Sequence, residues 1–348
     1  MSADERTKAA EENAKEAPGD QETAALEAND LATNDLESRD LALSLERSDA
    51  DGELIASLYF ERVGPPQASS VYYLHGGPGY NSSSFRELVG DDLVDFDVIY
   101  ADARGGGRSS GAGGTDVDQL AEDVRAVLAA LQITTVVLLA HGFGAMVAAQ
   151  VAALDPQLVR RIVMINPWIS MARLARDLND AALRRSGQVP DDDRTRSTDT
   201  ADITGTRSSA AEDDADDTAV SSDPAALAAE AFALVNPKVL FDDLEFTSPA
   251  ARLRLEHVDA VALSGELQEE VEPQVWAEDR LQALRNAAEQ GVEIVVISGA
   301  NDGTSYPSQA ELVLERAPAA LFSLLDGAHY PWLDDDEVFT AVLLEALA

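Results

Sequence analysis

The chain has 348 residues, no cysteine and a formal net charge of −39 at neutral pH. Without cysteine it has neither a disulfide framework nor a thiolate nucleophile, and so acidic a surface would repel nucleic acid and anionic membranes. Its length suits one large α/β domain with an inserted subdomain. No apolar run reaches the roughly 18 residues that a membrane span needs, and the charged N-terminus lacks the apolar stretch of a secretory signal. We therefore expect a cytoplasmic protein.

Two acidic segments contain too few large apolar side chains to bury a core, and we expect both to be disordered. The first is a tail over residues 1–40, and the second is an insertion over about 186–224 that is rich in Asp, Ser, Thr and Ala. The acidity has two open explanations. One is adaptation to high salt, where screening weakens the repulsion between carboxylates. The other is an acidic protein of a mesophile, without adaptation to high salt, whose tails carry much of the charge.

Elsewhere, short apolar strands alternate with helical patterns. Residues 41–45 and 54–60 alternate apolar and polar side chains on either side of Asp51-Gly52, which predicts a hairpin. Further strands are predicted over residues 71–74, 96–101, 136–140, 161–165, 292–297 and 320–325, and helices over 117–131, 146–154 and 336–347. This alternation indicates an α/β fold with a mostly parallel central sheet and helices on both faces. Residues 167–285 interrupt it and predict a helical cap between two parts of the core, 41–166 and 286–348.

The segment around position 142 has the form of a nucleophile elbow. A buried strand over 136–140 ends in small residues and passes directly into an Ala-rich helical pattern. The G-x-S-x-G pattern of such elbows would place a serine at position 142, but this chain has Gly142. Glycine adopts the strained conformation of that turn freely, so the substitution keeps the turn and removes the oxygen that would form an acyl-enzyme.

Five motifs lie where predicted strands end. They are His75-Gly76-Gly77-Pro78-Gly79; Asp102-x-Arg104-Gly105-x-Gly107-x-Ser109; Ala140-His141-Gly142-Phe143-Gly144-Ala145; Gly299-Ala300-Asn301-Asp302 with Pro307; and Gly327-Ala328-His329-Tyr330-Pro331-Trp332. In this order they resemble the α/β-hydrolase superfamily, and within it the proline iminopeptidase-like group of prolyl aminopeptidases. The resemblance covers about residues 41–166 and 286–348, and the cap matches only by position. It implies an α/β-hydrolase fold with an inserted cap, and hydrolysis of peptides or esters without a cofactor or metal ion.

The resemblance also implies site residues. Asp302 and His329 stand at the acid and base positions, in the order that this fold uses. The amides of Gly77 and Phe143 would form the oxyanion hole, and Gly142 occupies the nucleophile position. Loss of one member of such a triad leaves only a small residual rate, so we expect acyl-enzyme chemistry to be impaired or absent.

Three hypotheses for the function stay open. The chain is a ligand-binding pseudoenzyme, or an enzyme whose His329 and Asp302 activate water or a substrate proton without a covalent intermediate. The third is a working serine aminopeptidase disabled by a natural or engineered change at Gly142. Ser109 and Ser110 are poor substitutes for the nucleophile, because the strand-to-helix corner lies at position 142.

The other motif residues have structural interpretations. We expect His141 to pack in the core and Arg104 to anchor its glycine-rich turn through a salt bridge. The expected partner is a small molecule or a short peptide, and the sequence does not indicate the oligomeric state. Aminopeptidases of the proline iminopeptidase-like group, which the chain resembles, hold the substrate's ammonium group with acidic cap residues. In so acidic a chain the cap offers several candidates with nothing to separate them: Glu245, Glu256, Asp259 and Glu266.

Overall fold

The computed structural model describes residues 24–28, 41–48, 54–77, 80–188, 223–262 and 272–348. These residues contain a nine-stranded sheet in the order β1-β2-β3-β5-β4-β6-β7-β8-β9. The strands are β1 (Ala24–Ala28), β2 (Leu41–Ser48), β3 (Leu54–Val63), β4 (Ser70–Leu74), β5 (Asp97–Ala101), β6 (Val136–His141), β7 (Val159–Ile165), β8 (Glu293–Gly299) and β9 (Leu321–Leu325).

The sheet is antiparallel at one end and parallel over the rest. Strands β1, β2, β3 and β5 pair antiparallel in succession, whereas β5, β4, β6, β7, β8 and β9 pair parallel. The predicted hairpin is confirmed by the β2–β3 pairing. Strand β1 lies inside the acidic segment 1–40, for which no stable structure was predicted. The rest of that prediction, together with Asp51-Gly52, falls outside the described residues.

Helices cover both faces of the sheet. They are α1 (Ser83–Val89), α2 (Val117–Ala130), α3 (Gly144–Leu154), α4 (Met171–Arg185), α5 (Pro224–Leu234), α6 (Pro237–Glu245), α7 (Pro249–Ala262), α8 (Leu281–Glu289), α9 (Ser308–Arg316), α10 (Pro331–Asp334) and α11 (Asp336–Leu347). Because successive strand residues point to opposite faces, Tyr72 joins an apolar cluster with α2 and α3, and its neighbour Tyr73 joins a second cluster with α1 and α11. The predicted α/β architecture is therefore confirmed.

Helices α4 to α7 and the short 3₁₀ helix Pro273–Ala277 lie within the predicted cap. Helix α8 packs against α3 of the core, and its Leu284 and Ala287 are buried. It spans the predicted end of the cap at residue 285, and that boundary stays a prediction. Most of the predicted flexible insertion, residues 189–222, lies outside the described residues. Within the described part of the chain no single helix could cross a membrane, and only the sharply bent pair α5–α6, taken together, has the length and composition for one.

Candidate active site

Strand β6 turns into helix α3 at the predicted elbow. Gly142 has a φ of +50°, in the left-handed region that favours glycine. Two residues later, a Cβ at Gly144 would collide with the carbonyl oxygens of Leu74 and His75. The second glycine therefore allows α3 to start against the end of β4. The small residues of the motif produce a tight turn at the carboxyl edge of the parallel strands.

His329 faces the elbow. A Cβ built on Gly142 would lie 3.3 Å from His329 Nε2 and 3.6 Å from the Cα of Gly76. An oxygen carried by that Cβ would be within hydrogen-bond reach of the imidazole. The predicted nucleophile position and the predicted base are thus neighbours, although they are far apart in the chain.

Asp302 holds the other nitrogen of the imidazole. His329 Nδ1 lies 2.8 Å from Asp302 Oδ2, and both side chains are buried. The second carboxylate oxygen, Oδ1, accepts from the Thr304 N–H at 2.8 Å, the Thr304 hydroxyl at 2.7 Å and the Ser305 N–H at 3.2 Å. A carboxylate that only accepts places the imidazole proton on Nδ1. The lone pair of Nε2 therefore faces position 142.

The electrostatic surroundings favour a basic imidazole. Burial disfavours the charged form, but the negative charges of Asp302 and Glu245 and the hydrogen bond to Asp302 outweigh it and raise the pKa of His329 above its ordinary value. A raised pKa makes Nε2 a better proton acceptor. The pair can therefore act as a general base.

Asn166 and Trp168 also hold the dyad, and no sequence motif singled out either of them. Asn166 has a φ of +44°, and its side-chain amide donates to the carbonyl oxygens of Ala328 and His329, each at 2.9 Å. The Trp168 ring lies 5.3 Å from the His329 ring, and its N–H donates to the Thr304 hydroxyl at 3.1 Å. The one local signal is Asn166-Pro167 directly after the strand predicted over 161–165, a pair that by itself indicates only where the strand ends.

His141 has the packing role that was predicted. Its ring centre is 4.5 Å from that of His329, and its Nε2 donates to the His329 carbonyl at 3.0 Å. Burial, helped by the nearby His329, holds the pKa of His141 well below its ordinary value. A neutral imidazole therefore supports the main chain of the base.

The predicted oxyanion loop follows β4. His75 donates from Nδ1 to the Gly76 carbonyl at 2.8 Å and accepts at Nε2 from the Ala103 N–H at 3.0 Å, which fixes its tautomer and the start of the loop. Gly77 lines the cavity beside His329, and Phe143 is the residue between Gly142 and the first turn of α3. Pro78 and Gly79 lie outside the described residues. The oxyanion role of the two amides stays a prediction.

The glycine-rich turn after β5 is structural. Arg104 donates to both oxygens of Asp123 at 2.6 Å, so the predicted salt-bridge anchor is confirmed. The Ser109 hydroxyl accepts from the Tyr59 N–H at 2.8 Å, and the Ser110 hydroxyl accepts from another main-chain N–H of β3 at 3.2 Å. Both hydroxyls are engaged with the strand and stand apart from the dyad.

A cavity of about 30 Å³ opens beside His329. Its polar and aromatic lining comes from core and cap together: Tyr73, His75, Tyr80, Asn81, Ser84, His141, Trp168, Glu245, His329, Tyr330 and Trp332. A larger groove of about 670 Å³ lies at the amino ends of strands β7, β8 and β9, around Arg161, Val292 and Leu321. It contains none of the predicted site residues, so the small cavity is the candidate ligand site.

The four acidic cap candidates have different positions. Glu245, at the end of α6, is buried and lines the cavity. Asp259 is buried in the contact of α7 with the core. Glu256 is half-buried and accepts from Lys238 at 2.9 Å, and Glu266 lies outside the described residues. Burial raises the pKa of Glu245 to about 7, and of the three candidates that the structure describes Glu245 alone lines the cavity.

Asp259 yields a prediction on stability. Burial raises the pKa of Asp259 to about 6 from 3.8, although a hydrogen bond with Ser84 opposes the rise, and Oδ1 is buried without a partner among the described residues. The folded state therefore holds a proton that the unfolded state has lost, and stability falls as the pH rises from about 4 to 6. Asp259→Asn removes this loss, so its stability relative to the native chain should rise by about 2–3 kcal/mol between pH 4 and pH 8.

Urea unfolding at the two pH values measures this difference. Asp95→Asn, at an exposed aspartate, is the matched control and should show no such change. A relative stability of Asp259→Asn that does not depend on pH would contradict the prediction.

Together, the sheet, the elbow and the histidine–carboxylate pair at the carboxyl ends of parallel strands define a hydrolase fold. The model of the family described as "alpha/beta hydrolase fold" matches residues 70–336. The chain belongs to this family.

Among solved structures, the chain is similar to a proline iminopeptidase-related protein from Thermus thermophilus. The identity is 32%, the TM-score is 0.65, and the match covers 84% of this chain and 93% of that one. A proline iminopeptidase from Mycobacterium smegmatis has a TM-score of 0.57 at 18% identity, over 85% and 94% of the two chains, and so supports the fold alone.

Among curated proteins, the chain is 32% identical over 115 residues to "Putative carbamate hydrolase RutD" of Yersinia enterocolitica, over 32% of this chain and 41% of that protein. A protein of the same name from Rhizobium rhizogenes is 28% identical over 107 residues, covering 30% and 40%. The match thus spans about two fifths of the length of these relatives.

Proposed function

We propose that this protein is a proline iminopeptidase-like hydrolase that works without an acyl-enzyme, with His329 and Asp302 as a general base that activates water. The observation that carries the proposal is the 2.8 Å contact between His329 Nδ1 and Asp302 Oδ2, with Nε2 facing the side of Gly142 where a nucleophile would stand. A base so placed serves water or a substrate proton as well as it serves a serine.

The desolvation penalty of burying His329 and Asp302 favours a working general base over a site that only binds a ligand. Burying ionisable groups carries a desolvation penalty that must be compensated by neighbours. Here Asp302 accepts three hydrogen bonds besides that from His329, and Asn166 and His141 hold the His329 carbonyl. A protein that only bound a ligand would not need this arrangement behind an absent nucleophile.

The substrate class is inferred from the relatives. The cavity of about 30 Å³ has room for the attacking water beside His329, since one water molecule takes up about 30 Å³ in the liquid. The similar proteins carry the names of a proline iminopeptidase-related protein, esterases and a carbamate hydrolase, which suggests a carbonyl bonded to nitrogen or oxygen. We propose a small ester or amide, including an amino-terminal residue of a peptide.

The test compares the native chain with His329→Ala on p-nitrophenyl acetate and L-proline p-nitroanilide. We expect slow turnover by the native chain and at least a 10²-fold loss in the variant, because general-base catalysis contributes about 10²–10⁴-fold. A serine-directed fluorophosphonate should leave the native chain unlabelled. Asp95→Asn, exposed and outside the site, controls for substitution as such. Equal rates in both chains would refute the proposal and favour a ligand-binding protein, and labelling would reveal a serine nucleophile.

A further inference from the structure

We propose that Glu245 of the cap is the proton donor that completes the site, delivering a proton to the leaving group while His329 takes one from water. This inference rests on the proposed function, because it assigns the acid that a hydrolysis without a serine requires. Three features of Glu245 carry it: its place in the cavity, its main-chain attachment and its surroundings.

The Glu245 side chain shares the cavity with His329 and Trp168. It is 6% exposed, yet no hydrogen bond holds its carboxyl group within the described part of the chain. Buried carboxyl groups are normally hydrogen-bonded or paired. A carboxyl group that lines a cavity without a protein partner is available to a ligand.

The main chain attaches the end of α6 to both loops of the dyad. The His329 N–H donates to the Glu245 carbonyl at 3.1 Å, and the Gly303 N–H donates to the Leu244 carbonyl at 2.9 Å. The last carbonyl groups of a helix lack partners inside the helix, and here the histidine loop and the acid loop supply them. Glu245 therefore has a fixed position relative to Asp302 and His329, although it belongs to the cap.

The surroundings leave this carboxyl group partly protonated near neutrality. Burial raises the pKa of Glu245 to about 7, Asp302 and Asp242 add to the rise, and His329 and Lys238 oppose it. Tyr330 lines the same cavity, and burial and the charge of Glu245 hold the pKa of its phenol well above its ordinary range. A carboxylic acid with a pKa near the working pH is suited to proton donation.

The proposed reaction balances with water alone. His329 Nε2 takes a proton from water as the water oxygen bonds to the substrate carbonyl carbon. The bond from that carbon to the leaving oxygen or nitrogen then breaks, and the leaving atom takes the proton of Glu245. The imidazolium of His329 finally returns its proton to the Glu245 carboxylate through solvent, so that one water is consumed and both groups are restored.

The experiment uses the leaving group as the readout. Nitrophenolate leaves without a proton, whereas ethoxide requires one. We expect Glu245→Gln to lower His329-dependent hydrolysis of ethyl acetate, followed by pH-stat titration, by about 10²-fold, and to lower that of p-nitrophenyl acetate by a much smaller factor. The kcat/KM for ethyl acetate should also lose the fall near pH 7 that ionisation of the acid produces. Glu230→Gln, at an exposed glutamate of the cap, is the matched control.

Each outcome decides one of the two proposals or both. Equal loss on both esters would overturn the inference and leave the base in place, because Glu245 would then bind substrate or support the fold. No His329-dependent hydrolysis of either ester by the native chain would overturn the proposed function and the inference with it. Should Glu245→Gln fail to fold by circular dichroism, Glu245→Asp keeps the acid and withdraws it by one methylene. A smaller loss on ethyl acetate than on p-nitrophenyl acetate would then overturn the inference.

Discussion

Gly142→Ser should raise the turnover of p-nitrophenyl acetate and L-proline p-nitroanilide by about 10²–10⁴-fold over the native chain, because nucleophile, base and oxyanion hole act as a unit. The base is already in position, since a Cβ on residue 142 would lie 3.3 Å from His329 Nε2. A hydroxyl on that carbon can rotate into hydrogen-bond distance of the imidazole. A covalent acyl intermediate would then replace direct attack by water.

The expected cost of this substitution is modest. A side chain at the φ of +50° found at Gly142 costs about 1–3 kcal/mol, and the contact with the imidazole requires a shift of a few tenths of an ångström. Gly142→Ala is the matched control, because it has the same Cβ and the same backbone strain without the oxygen. It should be as destabilised as Gly142→Ser and should not react with a fluorophosphonate, whereas Gly142→Ser should be labelled at position 142.

Two results would contradict this prediction. A folded Gly142→Ser without increased turnover would mean that the oxyanion amides or the cavity no longer fit an acyl substrate, which favours the ligand-binding hypothesis. Equal rates for Gly142→Ser and Gly142→Ala would show that the gain comes from the Cβ and not from the hydroxyl. Assays at low and at multimolar salt would also show whether the acidic chain requires high ionic strength.

The sequence was sufficient for those parts of the site that local motifs encode. Gly142, Asp302 and His329 each lie in a short loop directly after a strand, and the parallel pairing of those strands brings the loops to one edge of the sheet. The salt bridge of the glycine-rich turn was also predicted, and in the structure Arg104 donates to Asp123 of the following helix. In each case the physical cause is a strand end and its turn, which have a local signature.

The contacts between loops could not be predicted in the same way. Asn166 bonds to the His329 carbonyl across 163 positions of the chain, and Trp168 bonds to Thr304 across 136. Such pairs depend on packing and not on spacing. Glu245 was one of several cap acids of equal standing until its burial in the cavity separated it from the half-buried Glu256, which pairs with Lys238. Strand β1 was missed because an Ala-rich acidic segment has no apolar alternation, and it forms by pairing with β2.

Removal of the Asp123 carboxylate should cost about 3–5 kcal/mol of stability. Asp123 accepts from Arg104 at 2.6 Å with both oxygens and from Arg47 as well, and all three side chains are buried. The group joins β2, the glycine-rich turn and α2. Neutralising it removes the buried carboxylate to which Arg104 donates through two nitrogens, which costs about 3–5 kcal/mol.

Asp123→Asn is the variant that tests this, because it keeps the volume of the side chain and removes only the charge. Urea unfolding at pH 7 should show a loss of about 3–5 kcal/mol, against less than about 0.5 kcal/mol for the exposed Asp95→Asn. An all-apolar replacement of the group, Arg47→Met with Arg104→Met and Asp123→Leu, should recover much of the loss, since such replacements of buried ion groups are often neutral. A loss below about 1 kcal/mol in Asp123→Asn would mean that solvent reaches the two guanidinium groups.

Arg104 belongs to the turn after β5, and that turn holds His75 through the Ala103 N–H. In Asp123→Asn, hydrogen exchange should therefore increase first in residues 103–116 and at the start of the predicted oxyanion loop.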